Sequence, residues 1–223
     1  TAEATVYLTK FVFYFALSAM LFGFAANLDL SAVFSWAFVW AYFLASSLVW
    51  ALVAAVALLR GAGPEEAVFE AHTGVIGNVG FLGIPMLTLL LGKAAVGPVL
   101  LVLAVDLIVF SSVLTIVITG VREGRMSLGI FRILAVGLLK NPMIVSVSLG
   151  LAWGATGWKL PVPVNEFMTL LGAAATPCAL FAIGGSLAGR SAERWPVAGW
   201  LSVSKLFLHP AAVAFAAFVV FPV

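Results

Sequence analysis

Charge is scarce in this chain. Of 223 residues, 9% are Asp, Glu, Lys or Arg, whereas 64% are hydrophobic, a balance that excludes a soluble domain and marks a polytopic helical membrane protein. The single cysteine, Cys178, excludes an intrachain disulfide. Two histidines, His72 and His209, lie far apart and form no metal-site spacing. There is no phosphate loop, no Gly-x-Ser-x-Gly elbow and no triad spacing, so enzyme chemistry has no support. No basic run suggests nucleic acid, and no polar linker or connection is long enough to hold a soluble domain. The first helix can insert directly, with no cleavable signal peptide evident.

What the sequence does have is long apolar stretches. Spans are predicted at 9–27, 32–59, 67–92, 96–119, 130–155, 164–188 and 197–221, each near or above the ~20 residues that cross a hydrocarbon core. Lysine and arginine distribute unevenly between the two sides. Lys10, Arg60, Arg122, Arg125, Arg132, Arg190 and Arg194 fall on one side, against Lys93 and Lys159 on the other. The side of residue 1 is therefore expected to be cytoplasmic. Trp195 and Trp200 flank the last span as an aromatic belt would.

The segment Gly74–Pro85, GVIGNVGFLGIP, interrupts the third span. Glycine loosens a helix, and proline removes a backbone donor and crowds the preceding turn. Freed backbone groups survive at membrane depth only where protein or a water-filled cavity satisfies them. Secondary transporters build binding sites from such breaks; a kinked helix packed through small residues is the alternative. Asn78 is the one strongly polar side chain there. It either contacts a ligand or holds the break through an interhelical hydrogen bond. A half-helix N-terminus beside it would favour a carboxylate.

A faint repeat links Ala16–Phe22 (ALSAMLF) with Ala175–Phe181 (ATPCALF), identical at three of seven positions. The charge rule makes the first copy run outward and the second inward, so the repeat is inverted. Extending the pairing predicts ten helices, with one before residue 1 and two after residue 223. The start without Met and the apolar end at Phe221-Pro222-Val223 suggest a fragment.

Other polar residues inside spans each need a reason. Asp106, ten residues into the fourth span, must be protonated, paired or bound to a cation. It would carry a coupling proton, help hold sodium, or pair structurally with Lys205 or a hydroxyl. Ser111, Ser112 and Thr115 follow it and suggest a polar track. Lys205 and His209 share a face at i, i+4; Lys205 either snorkels or neutralises Asp106 or a substrate anion. His72, with Glu70 near it, reads as interfacial. Asn141-Pro142 predicts an N-cap with proline at the first position, leaving 130–139 as an amphipathic interfacial helix. Gly185 and Gly189 make a close-packing pair.

At several of these residues the chain resembles the auxin efflux carrier family, which includes bacterial malonate-transporter-like proteins and plant auxin transporters. The matching stretches are Leu8–Tyr14, Asn78–Pro85 (NVGFLGIP), Lys140-Asn141-Pro142, Pro177–Gly184 and Lys205…Pro210. The resemblance implies a ten-helix inverted repeat, similar to bile acid:sodium symporters, with two broken helices crossing in a transport domain that moves against a scaffold. It also implies small organic anions as substrates and an asparagine at the crossover contacting the substrate carboxylate, a role that falls on Asn78. Ser18 stands where the family usually has proline.

The sequence thus predicts an all-α polytopic membrane protein with an inverted repeat and a broken crossover helix, seven of ten helices being present. Residues 1–223 form a single transmembrane domain, with 1–119 most of the first repeat and 130–223 the first part of the second. The predicted function is secondary transport of a mono- or dicarboxylate by alternating access. Asn78, Gly80, Gly83 and Pro85 would bind substrate; Asp106 and Lys205 are the coupling candidates, with H+ or Na+ as coupling ion and no cofactor. The expected partners are the organic anion, the bilayer and, by the resemblance, a second copy in a homodimer; the expected location is the inner (plasma) membrane. A seven-helix receptor or retinal protein is the alternative, invited by Lys205 in the seventh span.

Overall fold

The computed structural model describes residues 2–28, 34–123, 129–188 and 194–222, apart from the side chains of residues 2, 81, 85, 89, 93 and 123. Arg125, Gly189 and Arg190, which entered the charge count and the glycine pair, lie outside them. The described residues are helical, with no strand among them. In chain order the helices are α1 (Glu3–Ala26), α2 (Trp36–Leu59), α3 (Pro64–Val75), α4 (Ile84–Leu91), α5 (Val96–Arg122), α6 (Gly129–Lys140), α7 (Pro142–Ala155), α8 (Val162–Leu187) and α9 (Trp195–Val220). Of these, α1, α2, α5, α8 and α9 are each long and apolar enough to cross a membrane, and α6 and α7, bent by 67° from each other, meet the same test only when taken together. The third predicted span is present as two short helices, α3 and α4, on either side of the break.

Local chemistry accounts for where the helices start and stop. Ser35 caps α2 by accepting from the Phe38 N–H at 3.2 Å. Its far end closes through Ala62 N–H to Ala57 O and Gly61 N–H to Leu58 O, with Gly61 at φ +83° in the left-handed region that only glycine adopts cheaply. Asn141 accepts from the Met143 N–H at 2.9 Å and the Ile144 N–H at 3.4 Å, and Pro142 opens α7. The helix–cap–helix reading of 130–155 therefore holds. Asn141→Ala should lower the thermal stability of the solubilised protein by about 1 kcal/mol, because it orphans the N-terminal amides of α7.

The chain divides into two units. The first comprises 1–34, 78–103 and 136–190. Its central element is α1, where Val12, Ala16, Leu17, Leu21 and Ala25 are fully buried. Small residues let neighbours approach it, as expected where lipid removes the hydrophobic drive between helices. A Cβ on Gly150 of α7 would stand 2.7 Å from both Ala25 Cβ and Phe22 O, and one on Gly172 of α8 would stand 3.0 Å from Met20 Cα. Gly185, half of the predicted glycine pair, lies against Thr5 in the same way. Ser18, in place of the family's proline, donates to Phe13 O at 3.2 Å beside a π-turn at Val12–Ala16. A hydroxyl thus satisfies a carbonyl at the point where the helix is irregular.

The second unit comprises 35–77, 104–135 and 191–223. Val49 and Val53 of α2 pack with Ala71 and Val75 of α3, and Trp50, Trp200, Leu201 and Leu208 close around them. Trp200 is therefore a packing residue, not a member of an aromatic belt. Trp195 is exposed, as a belt residue would be. A smaller cluster joins Ala41 and Ala45 of α2 to Ala216 of α9. Large apolar side chains such as Leu48, Phe207 and Phe218 face outward. In a membrane-spanning protein that outward face meets lipid tails.

Candidate functional site

The break is an ordered piece of backbone. α3 ends at Val75, and Ile76 turns extended while its N–H still bonds His72 O at 2.9 Å. A π-turn then runs over Val79–Gly83, and the Asn78 carbonyl accepts from the Leu82 N–H at 3.1 Å and the Gly83 N–H at 3.0 Å. Asn78 thereby starts the second half-helix with its backbone carbonyl, and the residue is exposed. Pro85 falls in the first turn of α4, the position a helix tolerates best. Gly80 is buried, and a Cβ there would stand 3.0 Å from the Met143 methyl and 3.7 Å from Leu17. Gly83 folds back on its own turn, 3.7 Å from Asn78 O. Asn78, Gly80 and Gly83 are thus held in one short turn, Gly80 buried and Asn78 exposed, and Pro85 follows in α4.

A separate polar cluster occupies the second unit and collects the remaining candidates. The Tyr42 hydroxyl of α2 donates to Asp106 Oδ1 at 2.6 Å. One turn on, Ser46 Oγ lies 2.8 Å from His209 Nε2 of α9. The rings of Tyr42 and His209 meet edge to face, with centroids 5.8 Å apart. Lys205, one turn before His209, interacts electrostatically with Asp106, His72 and His209. Asp106 opens a π-turn over Asp106–Phe110, and Lys205 sits inside another over Ser204–Leu208. Such turns interrupt an α-helix at some cost and occur often at functional sites. Asp106, Tyr42, Ser46 and Ser204 are each at most 5% exposed. Among the described residues, Asp106 Oδ2, Ser204 Oγ and His72 Nδ1 are buried without a hydrogen-bond partner.

Tyr42 and Ser46 escaped the sequence reading, because a tyrosine and a serine in an apolar span look like ordinary membrane composition. Their i, i+4 spacing, continuing into Val49 and Val53, was the usable signal. The polar track after Asp106 is not one: Ser111 donates to Asp106 O at 3.1 Å and Thr115 to Ser111 O at 2.8 Å, so both satisfy carbonyls of their own helix.

Charged groups at one end of this unit are paired. Arg60, Arg122 and Arg194, which the charge count puts on one side of the membrane, bond Glu70, Glu65 and Glu66 of α3. The Arg122 guanidinium holds the Glu65 carboxyl below its usual range, and Glu66 holds the Arg194 guanidinium above its own. Glu70 is buried in its pair with Arg60. His72, half-buried with its Nδ1 enclosed, is likewise inside the unit.

Comparison with known proteins agrees with this organisation. The family model described as "Membrane transport protein" matches residues 1–128 and 122–221. A protein of Rhizobium meliloti (strain 1021) named "Putative malonate transporter" is 30% identical over 215 residues, covering 93% of this chain. The chain spans 66% of that relative's length. These matches do not favour a receptor or retinal protein. The chain is an integral membrane protein and belongs to the membrane transport protein family, the auxin efflux carriers.

Proposed function

We propose that the chain is the larger part of a secondary active transporter that moves a small mono- or dicarboxylate by alternating access. The observation that carries this reading is the ordered break at 76–83, polar at Asn78 within an otherwise apolar span. The first amides of a helix have no intrahelical acceptor, and its N-terminus carries partial positive charge. A carboxylate at the turn would accept from those amides and from the Asn78 amide. Gly80 would let the turn sit deep in the protein, while Gly83 and Pro85 shape it. The malonate named for the relative suggests a dicarboxylate. Asp106 and Lys205 would couple transport to H+ or Na+. The inverted repeat, with ten helices in the whole protein, a cytoplasmic side at residue 1 in the inner membrane and a homodimer belong to the same reading.

The test is uptake of labelled malonate by the full-length protein in proteoliposomes, wild type beside Asn78→Ala, with unlabelled mono- and dicarboxylates as competitors. Wild-type uptake should be lost in Asn78→Ala that elutes and melts as a folded protein. Undiminished uptake by the variant would reduce Asn78 to a structural role. No uptake of, or competition by, any carboxylate would overturn the substrate class.

A further inference from the structure

The cluster around Asp106 is rich in donors and poor in acceptors. The Tyr42 hydroxyl donates to Asp106 Oδ1, the Lys205 ammonium interacts electrostatically with the same carboxylate, and the His209 ring is engaged with Ser46. A hard cation such as sodium needs several converging oxygens. Ser46 Oγ is already engaged with His209. The Lys205 ammonium, which acts on the same carboxylate, would also repel a second cation. What the cluster does offer is Asp106 Oδ2, buried and without a partner, on a residue 3% exposed. Asp106 opens one π-turn and Lys205 lies in another, on separate helices.

We propose that this cluster is a proton-carrying site in which Asp106 Oδ2 takes up the proton and Lys205 holds the position of a metal cation, so that transport is coupled to protons and not to sodium. This rests on the transporter reading above and names its coupling ion. In the deprotonated state Asp106 is balanced by Lys205 and accepts from Tyr42. Proton entry forms one O–H bond at Oδ2, neutralises the carboxylate and leaves Lys205 with its charge uncompensated, which changes the balance of the unit. Release breaks the same bond and restores the pair. The titratable and charged groups acting on Asp106 are Tyr42 from α2 and Lys205 from α9, and Lys205 in turn interacts with His209 of α9 and His72 of α3. The other charges on α3, Glu65, Glu66 and Glu70, are taken up by arginines. Tyr42 acts as a positioning residue, fixing Oδ1 so that Oδ2 is the oxygen left open.

The experiment compares two modes in sodium-free proteoliposomes of the full-length protein: malonate accumulation driven by an inward proton gradient, and malonate–malonate exchange without a gradient. Wild type should accumulate malonate without sodium. Asp106→Asn should lose about tenfold or more of the accumulation, the scale of a typical coupling energy, while keeping its exchange. Accumulation by Asp106→Asn at the wild-type level, or a sodium requirement in wild type, would overturn the proposal. If wild type exchanges no carboxylate, the substrate reading fails, and infrared difference spectra on the solubilised protein decide the proton site alone. A carboxylic-acid band that appears on acidification, is absent in Asp106→Asn and is indifferent to sodium supports it; lack of that band overturns it. Should Asp106→Asn not fold, Tyr42→Phe removes only the hydroxyl on Oδ1. The pH profile of that band should then shift, and an unmoved profile overturns the proposal.

Discussion

Gly150→Ala should be among the most destabilising single-methyl additions in this protein, lowering stability by about 3 kcal/mol, the upper part of the usual overpacking range. The new Cβ would stand 2.7 Å from Phe22 O and Ala25 Cβ and 3.1 Å from Ala26 N. Two of these atoms are backbone. They can retreat only if α7 and α1 separate as whole helices, which breaks the neighbouring contact of Gly154 with Ala25 O and Ala26 O. In lipid no hydrophobic gain offsets that loss of close packing. Two controls separate crowding from a general intolerance of alanine. Gly80→Ala meets first the Met143 methyl at 3.0 Å, the end of a flexible side chain, and should cost under about 1 kcal/mol. Gly137→Ala has nothing within 4 Å and should be neutral or slightly stabilising. Thermal melting of the three variants in detergent checks the order. A Gly150→Ala melt that overlays wild type would show that α1 and α7 do not approach this closely.

Arg60→Ala should cost about 3 kcal/mol, the lower end of what breaking a buried pair costs. The Glu70 side chain is 7% exposed, and its Oε1 has no partner among the described residues, so removing Arg60 leaves an uncompensated carboxylate inside the unit. Solvent reaches Arg60, 37% exposed, which is why the lower end applies. Arg122→Ala and Arg194→Ala remove guanidiniums that are 65% and 64% exposed, and their effects should be far smaller and should fade with added salt. The double variant Arg60→Ala/Glu70→Gln should recover most of the loss, because the stranded charge is gone. Failure of that recovery in a melting series would place the cost in the packing of the Arg60 stem instead.

Much of the architecture was readable from the sequence because the bilayer permits few answers. A spanning segment must be apolar, about 20 residues long and closed on its own hydrogen bonds. Hence the third span announces its break through Gly74–Pro85, and Asn141-Pro142 announces a new helix start. Both are local effects, in which a cap or a missing donor acts within one turn. The functional cluster was legible only in part. Asp106 and Lys205 stand out because charge is expensive in lipid. Tyr42 and Ser46 do not, since neither is rare in a membrane helix. Trp200 shows the opposite error: its position near a span end suggested the interface, yet it packs on the α2–α3 cluster.

The sequence by itself determined that the chain is membrane-spanning, that α7 starts behind its Asn141 cap, and where one span breaks, because hydrophobic length, caps, glycine and proline act over a few residues. Only the tertiary structure decided which polar groups meet. Tyr42 reaches Asp106 across 64 residues of chain and Ser46 reaches His209 across 163. No local rule sets such a pairing; helix packing and the one-residue shifts introduced by π-turns decide which face of each helix a side chain occupies.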